Sequence, residues 1–308
     1  MYRMGVHSDL AREMREIFPD IACVEEEIER RGAVSISRIR IKTEAAAERL
    51  EKPVGTYITM EAPQLVNRDT LVFKEIGALL SEELLSLLKD DGGAKSVLVV
   101  GLGNKEITAD ALGPAVVAHT FVTRHITLHM PDIISEPVRA VSAVAPGVLG
   151  TTGMETLEVL SGIVEHVRPD IVVAVDALAS RRAARISTAI QLTDTGIHPG
   201  SGVGNGRSGL TQETLGVPII AIGVPTVVYA STILHDAIAL IAERTGMQSD
   251  AACLRTLADE LVCDHMGAMI VTPKDIDTII ADMAGILADG INLALHKRYY
   301  RQIEELLA

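Results

Sequence analysis

Two aspartates stand where a carboxylate is hard to explain as decoration. Asp176 closes the apolar run IVVAV (171–175), and a charge there is costly unless it is hydrogen-bonded or used. Asp110 lies in TADALGP (108–114), just past a second apolar run, SVLVVGLGN (96–104). Read alone, Asp110 is expected to cap the helix beginning near Pro114, because Asp accepts backbone N–H groups at such positions. Taken as a pair at strand ends, the two carboxylates suit acid–base chemistry: one activates water while the other holds a proton for a leaving group. Two Asp and a nearby His would equally begin a metal site, and spacing in the chain does not choose between these chemistries.

Other polar residues carry weaker signals. His198 sits inside the glycine-rich stretch DTGIHPGSGVGN (194–205), a candidate ligand, base or substrate-binding group in what otherwise reads as a surface loop. No Gly-Lys-Ser/Thr ending makes that stretch a phosphate loop. The GLGN turn (101–104) invites a nucleotide-dependent oxidoreductase reading, but Glu106 occupies the third glycine position of the dinucleotide fingerprint. His119, His125 and His129 read as structural. No Gly-x-Ser-x-Gly elbow supports a serine nucleophile, and Cys23, Cys253 and Cys263 suggest neither a thiolate zinc site nor a disulfide framework.

These residues need a scaffold, and the strand grammar supplies one. Continuous apolar runs recur at 96–104, 169–178 and 218–225, as in strands buried on both faces of a parallel sheet. Helical stretches at 113–124 and 153–167 separate them, which predicts an α/β three-layer sandwich around a mostly parallel or mixed sheet. A small β-containing N-terminal extension is expected at residues 31–75, from the alternation AVSISRIRI (33–41) and a partner at GTYITM (55–60). Residues 9–31 read as a charged helix interrupted at Pro19, 67–88 as a helix, 243–264 as a peripheral insertion, and 275–288 and 290–307 as two closing helices.

Composition narrows the partners. In 308 residues a 48% hydrophobic content provides a substantial core, and the net charge of −13 argues against a nucleic-acid partner and favours a basic protein. The absence of Trp, with three Phe and five Tyr, argues against stacking platforms for single strands. Neither a signal peptide nor a membrane span is expected, and the cysteine usage fits a reducing cytoplasm.

Longer blocks are more specific. VVGLGNKEITADALGP (99–114), TRHI (123–126), RAVSAVAPGVLGTTGMET (139–156), PDIVVAVDALASR (169–181), QLTDTGIHPGSGVGNGR (191–207), ETLGVPIIAIGVPTVV (213–228) and MIVTPKDIDTIIADMAGILADGINLALH (269–296) together resemble the germination proteases of endospore-forming bacteria. The resemblance implies an atypical aspartic endopeptidase that degrades small acid-soluble spore proteins in the spore core. It implies a homotetramer without an obligatory cofactor, and a fold similar to the hydrogenase-maturation endopeptidases, whose nickel site keeps a metal at Asp110 and Asp176 in view. The two essential aspartates of the family map onto Asp110 and Asp176. HSDLAREM (7–14) matches the processing region of a self-cleaving zymogen, which implies a propeptide of residues 1–9, a cut between Asp9 and Leu10, and a single peptidase domain over 10–308.

Overall fold

The computed structural model describes residues 8–89, 96–130, 138–198, 208–245, 269–296 and 300. Among the described residues nine strands form one sheet: β1 (Val24–Arg31), β2 (Val34–Ile41), β3 (Gly55–Glu61), β4 (Val97–Gly101), β5 (Val141–Val144), β6 (Ile171–Ser180), β7 (Ala189–Thr193), β8 (Ile219–Tyr229) and β9 (Ile270–Val271). Their order is β1-β2-β3-β7-β8-β6-β4-β5, with β9 added antiparallel to the end of β8. The strands from β8 to β5 run parallel; β7 is antiparallel to both its neighbours and joins them to the β1–β3 meander. The predicted mixed α/β sheet is therefore present, and the N-terminal strands continue it.

Helices α1 (Ala11–Ile17), α2 (Glu44–Leu50), α3 (Thr70–Leu88), α4 (Leu112–Ala118), α5 (Arg124–His129), α6 (Leu149–Thr152), α7 (Thr156–Val167), α8 (Gln212–Leu215), α9 (Ala230–Thr245) and α10 (Ile276–His296) surround it. On one face Val99, Val173, Val175, Ile190 and Ile222 pack beneath α3, α4 and α10 in the largest apolar cluster. On the other face Leu98, Val172 and Ala174 meet α7 and α8, while Ile39, Ile41 and Tyr57 meet α1 and α2. Alternate residues of each strand serve opposite layers, as strand geometry requires. Between those two helix groups the sheet face over β6, β8 and β7 is left for a cleft.

Two expectations are corrected. Residues 9–31 are not one helix: α1 ends at Ile17, and VEEEIERR forms the edge strand β1. Cross-strand register places Glu25 opposite Arg40 and Glu27 opposite Arg38, with further ion pairs from Arg38 to Glu29 and Lys42 to Glu25. Charge of this kind belongs on an edge strand, and the pairing overrides the helix propensity of Glu and Arg. The predicted break before Gly290 is also absent, because α10 runs continuously from Ile276 to His296. Gly290 is a close-packing residue: a Cβ there would lie 2.9 Å from the Gly77 carbonyl oxygen of α3. By length and composition α10 could cross a membrane, yet it is mostly buried against α3 and α4. Of the expected insertion, residues 243–245 end α9 and the rest lies outside the described residues, as do residues 1–7 of the expected propeptide.

Candidate active site

The Asp110 loop is built by close backbone approach. After β4, the Leu102 N–H donates to the Val175 carbonyl at 2.8 Å, prolonging the pairing with β6. Gly103 then turns at φ +110°, where a Cβ would stand 2.0 Å from the Asp110 carbonyl oxygen. A Cβ on Gly101 would stand 2.1 Å from the Gly113 carbonyl oxygen. The GLGN glycines thus let the loop fold onto its own strand, which is a different use from cradling a nucleotide. The Asn104 N–H donates to Asp110 Oδ2 at 2.7 Å, and Thr226 Oγ1 of β8 donates to the Ala109 carbonyl at 2.7 Å. Asp110 does not cap α4: the N-cap is Ala111, without a side-chain bond, and Asp110 closes the preceding 3-10 turn (Thr108–Asp110).

Asp176 is only 6% exposed, and its Oδ1 accepts the Ala177 N–H at 2.9 Å. β4 and β6 are the adjacent strands from which the chain departs in opposite directions, to β5 and to β7, so both aspartates emerge where the strand order reverses. Asp110, Asp176, Asn104, Gln191 and His198 line one cleft of about 630 Å3. His198 is exposed at its rim with its ring against Gly209; residues 199–207 of the glycine-rich stretch lie outside the described residues.

The chain's own Ser8–Leu10 segment is seated in this cleft. The Asp9 N–H donates to the Ala179 carbonyl at 3.2 Å, and Asp9 Oδ2 accepts the Ala179 N–H at 2.8 Å. Leu10 is fully buried against Leu178, Ala189 and Ile197. Gly223 makes this pocket, since any side chain there would collide with Leu178, which leans across it. Lys52 Nζ donates to the Ser8 carbonyl at 2.8 Å. Burial pushes the Lys52 ammonium below its ordinary range, against the pull of Asp9, Glu51 and Glu13.

Beyond Leu10, α1 is locked down by buried charge. Glu13 accepts the Arg181 and Arg182 N–H groups at 2.8 and 3.1 Å and the Ser180 hydroxyl at 3.1 Å. Arg185 reaches Glu13, Glu16 and Glu61 at 3.2, 2.5 and 2.5 Å. Burial raises the Glu16 carboxyl, but Arg185, Arg182 and Arg12 outweigh it and hold the group below its ordinary range.

Asp110, Asp176, His198, Asp9 and Leu10, the candidates from sequence, all line or border this cleft. Lys52, Gln191 and the Glu13–Arg185 contacts were not among them. Gln191 carried the signal that exposed Asp176, a polar residue inside an apolar strand (AIQLT), whereas nothing in the local sequence marks Lys52. Among the described residues no three His, Cys, Asp or Glu side chains gather to hold a metal ion.

A family model described as germination protease matches residues 6–258 and 249–305. The chain belongs to the germination protease family. The germination protease of Caldanaerobacter subterraneus subsp. tengcongensis is 44% identical over 313 residues, covering 95% of this chain and 94% of that protein. Those of Clostridium perfringens strain 13 and Bacillus pumilus are 41% and 38% identical, covering 94% and 95% of this chain and 95% and 94% of those proteins. The hydrogenase maturation protease HycI from Thermococcus kodakarensis aligns over 68% of this chain and 97% of its own at 16% identity, with a TM-score of 0.33, a likeness too slight to argue from. As a member of this family the chain is a peptidase of spore germination.

Proposed function

We propose that this chain is an aspartic-type endopeptidase, made as a zymogen that cuts itself between Asp9 and Leu10 and then degrades small acid-soluble spore proteins. One observation carries the mechanism: Asp110 and Asp176 line the same cleft in which the Ser8–Leu10 backbone is seated. Each carboxylate has one oxygen fixed by a backbone N–H, from Asn104 and Ala177, which orients the group. One aspartate takes a proton from water as it attacks the peptide carbonyl; the other delivers a proton to the departing nitrogen. Leu178, Ala189 and Ile197 select an apolar residue after the cut, and Lys52 adds positive charge beside the acidic residue before it. His198 at the rim assists substrate binding. The proposed setting is a homotetramer in the cytoplasm of the forespore and spore core.

The test is cleavage of a spore-protein substrate by processed wild type, Asp110→Asn and Asp176→Asn, with and without a chelator. Each variant is expected to lose at least about 100-fold in kcat, while the wild type keeps its rate in chelator. Full activity in both variants would sink the assignment. A chelator-sensitive wild type restored by added metal would replace it with a metallopeptidase.

A further inference from the structure

We infer that Gln191 is a catalytic residue, the donor that stabilises the oxyanion formed at the bond to be cut. The inference rests on the proposed cut between Asp9 and Leu10. Gln191 is 6% exposed in the middle of β7, and its amide spans that bond. Its Nε2 donates to the Asp9 carbonyl oxygen at 3.0 Å, and its Oε1 accepts the Ala11 N–H at 2.7 Å. The two partners fix which end of the amide is nitrogen, since a carbonyl only accepts and an N–H only donates.

The sheet puts this amide in one row with Asp176. Gly223 of β8 is the register partner of Gln191 on β7 and also of Asp176 on β6. The three residues form one row across three strands, so Asp176 and Gln191 project from the same face, roughly 10 Å apart at the backbone. Gly223 between them contributes no side chain, and that of Leu178 leans across it to form the floor under Leu10. A substrate strand lying over β8 therefore has a carboxylate on one flank and an amide donor on the other.

The chemistry balances as simple hydrolysis. Water oxygen bonds to the Asp9 carbonyl carbon, its proton passes to an aspartate, and the carbonyl π pair moves onto oxygen, where the Gln191 N–H receives the developing charge. Collapse breaks the bond to the Leu10 nitrogen, which takes a proton, leaving a carboxylate on Asp9 and an amine on Leu10. Such stabilisation requires a donor 2.7–3.1 Å from the place the oxyanion comes to occupy, and losing one costs roughly 100- to 1000-fold in rate; Nε2 already stands 3.0 Å from the ground-state oxygen. His198, the other candidate in the cleft, makes no such contact among the described bonds.

The experiment follows self-cleavage of the full chain by intact mass and amino-terminal sequencing for wild type, Gln191→Glu and Gln191→Met. Glutamate keeps an acceptor for the Ala11 N–H and loses the donor; methionine loses both at similar volume. The expected result is a melting temperature near wild type for at least the methionine variant, protection of the Ala11 amide from hydrogen exchange retained in Gln191→Glu, and a first-order rate of cutting at Asp9–Leu10 lower by about 100- to 1000-fold in both. Wild-type cutting at that bond with Gln191→Glu within about threefold of it would overturn the oxyanion role alone, leaving Gln191 as a positioning group. Wild-type cutting only at some other bond would overturn the inference together with the reading of Asp9–Leu10 on which it rests.

Discussion

A methyl group on residue 103 would sit 2.0 Å from the carbonyl oxygen of Asp110, at a backbone φ of +110°. Gly103→Ala is therefore expected to cost about 1–3 kcal/mol of stability from strain, measured by urea unfolding. It should lower kcat more than KM, because the displaced atom belongs to a proposed catalytic residue. An unchanged kcat would mean that the loop does not set the position of Asp110. At this scale Asp176 was legible because a charge in an apolar strand demands an explanation. Asp110 was legible as a polar loop residue but not in its role: the Asn104 N–H that it accepts comes from six residues earlier, through a turn that only the folded glycines reveal. Lys52 was illegible, since its partner Ser8 is 44 residues away.

Between elements, α1 is held to the loop after β6 by Glu13, Glu16, Glu61 and Arg185. Removing Arg185 leaves Glu13 buried without a cation and takes one partner each from Glu16 and Glu61, which keep Arg12 and Arg182. Arg185→Met is expected to lose about 3 kcal/mol in urea unfolding and to loosen the Ser8–Leu10 segment, seen as faster hydrogen exchange at Ala11. Wild-type exchange there would show that α1 is held by its apolar contacts alone. The central strands and α3, α7 and α10 were readable because apolar periodicity reports burial directly. The edge strand β1 was not, because VEEEIERR has helical composition and becomes a strand through Arg38, Arg40 and Lys42 on its neighbour. Gly290 looked like a helix break, and its use as a contact with Gly77 lies in the packing of two helices distant in sequence.

Across the whole molecule, one mixed sheet joins a parallel half that carries the aspartates to an antiparallel half that carries Gln191 and supports the amino-terminal segment. The far end of α10 adds a pH dependence unrelated to the cleft. His296 is 3% exposed, donates from Nε2 to the Phe121 carbonyl at 3.0 Å, and has a buried Nδ1 without a hydrogen-bond partner. Burial, with the Arg139 charge, lowers its pKa below the ordinary 6.5 despite the Phe121 carbonyl. Below that value the unfolded chain binds the proton more readily than the folded one. This contribution to stability is therefore complete above 6.5 and is lost as pH falls beneath it. His296→Gln should flatten the loss between about pH 7 and about pH 5.5 in urea midpoints, and an unchanged slope would assign it to other groups. The layer architecture was legible from strand and helix alternation. Two things were not: that β7 runs against β3, and that the first described residues lie in the cleft, because both depend on contacts some 130 to 180 residues apart.

The account turns on Ser8–Leu10 being seated as a substrate of the paired aspartates. Amino-terminal sequencing of full-length wild type and Asp176→Asn, incubated side by side, tests this directly. The account predicts a new terminus at Leu10 in the wild type and a rate lower by at least about 100-fold in the variant. A wild-type cut at any other bond, or an Asp176→Asn chain that releases Leu10 at the wild-type rate, would contradict it.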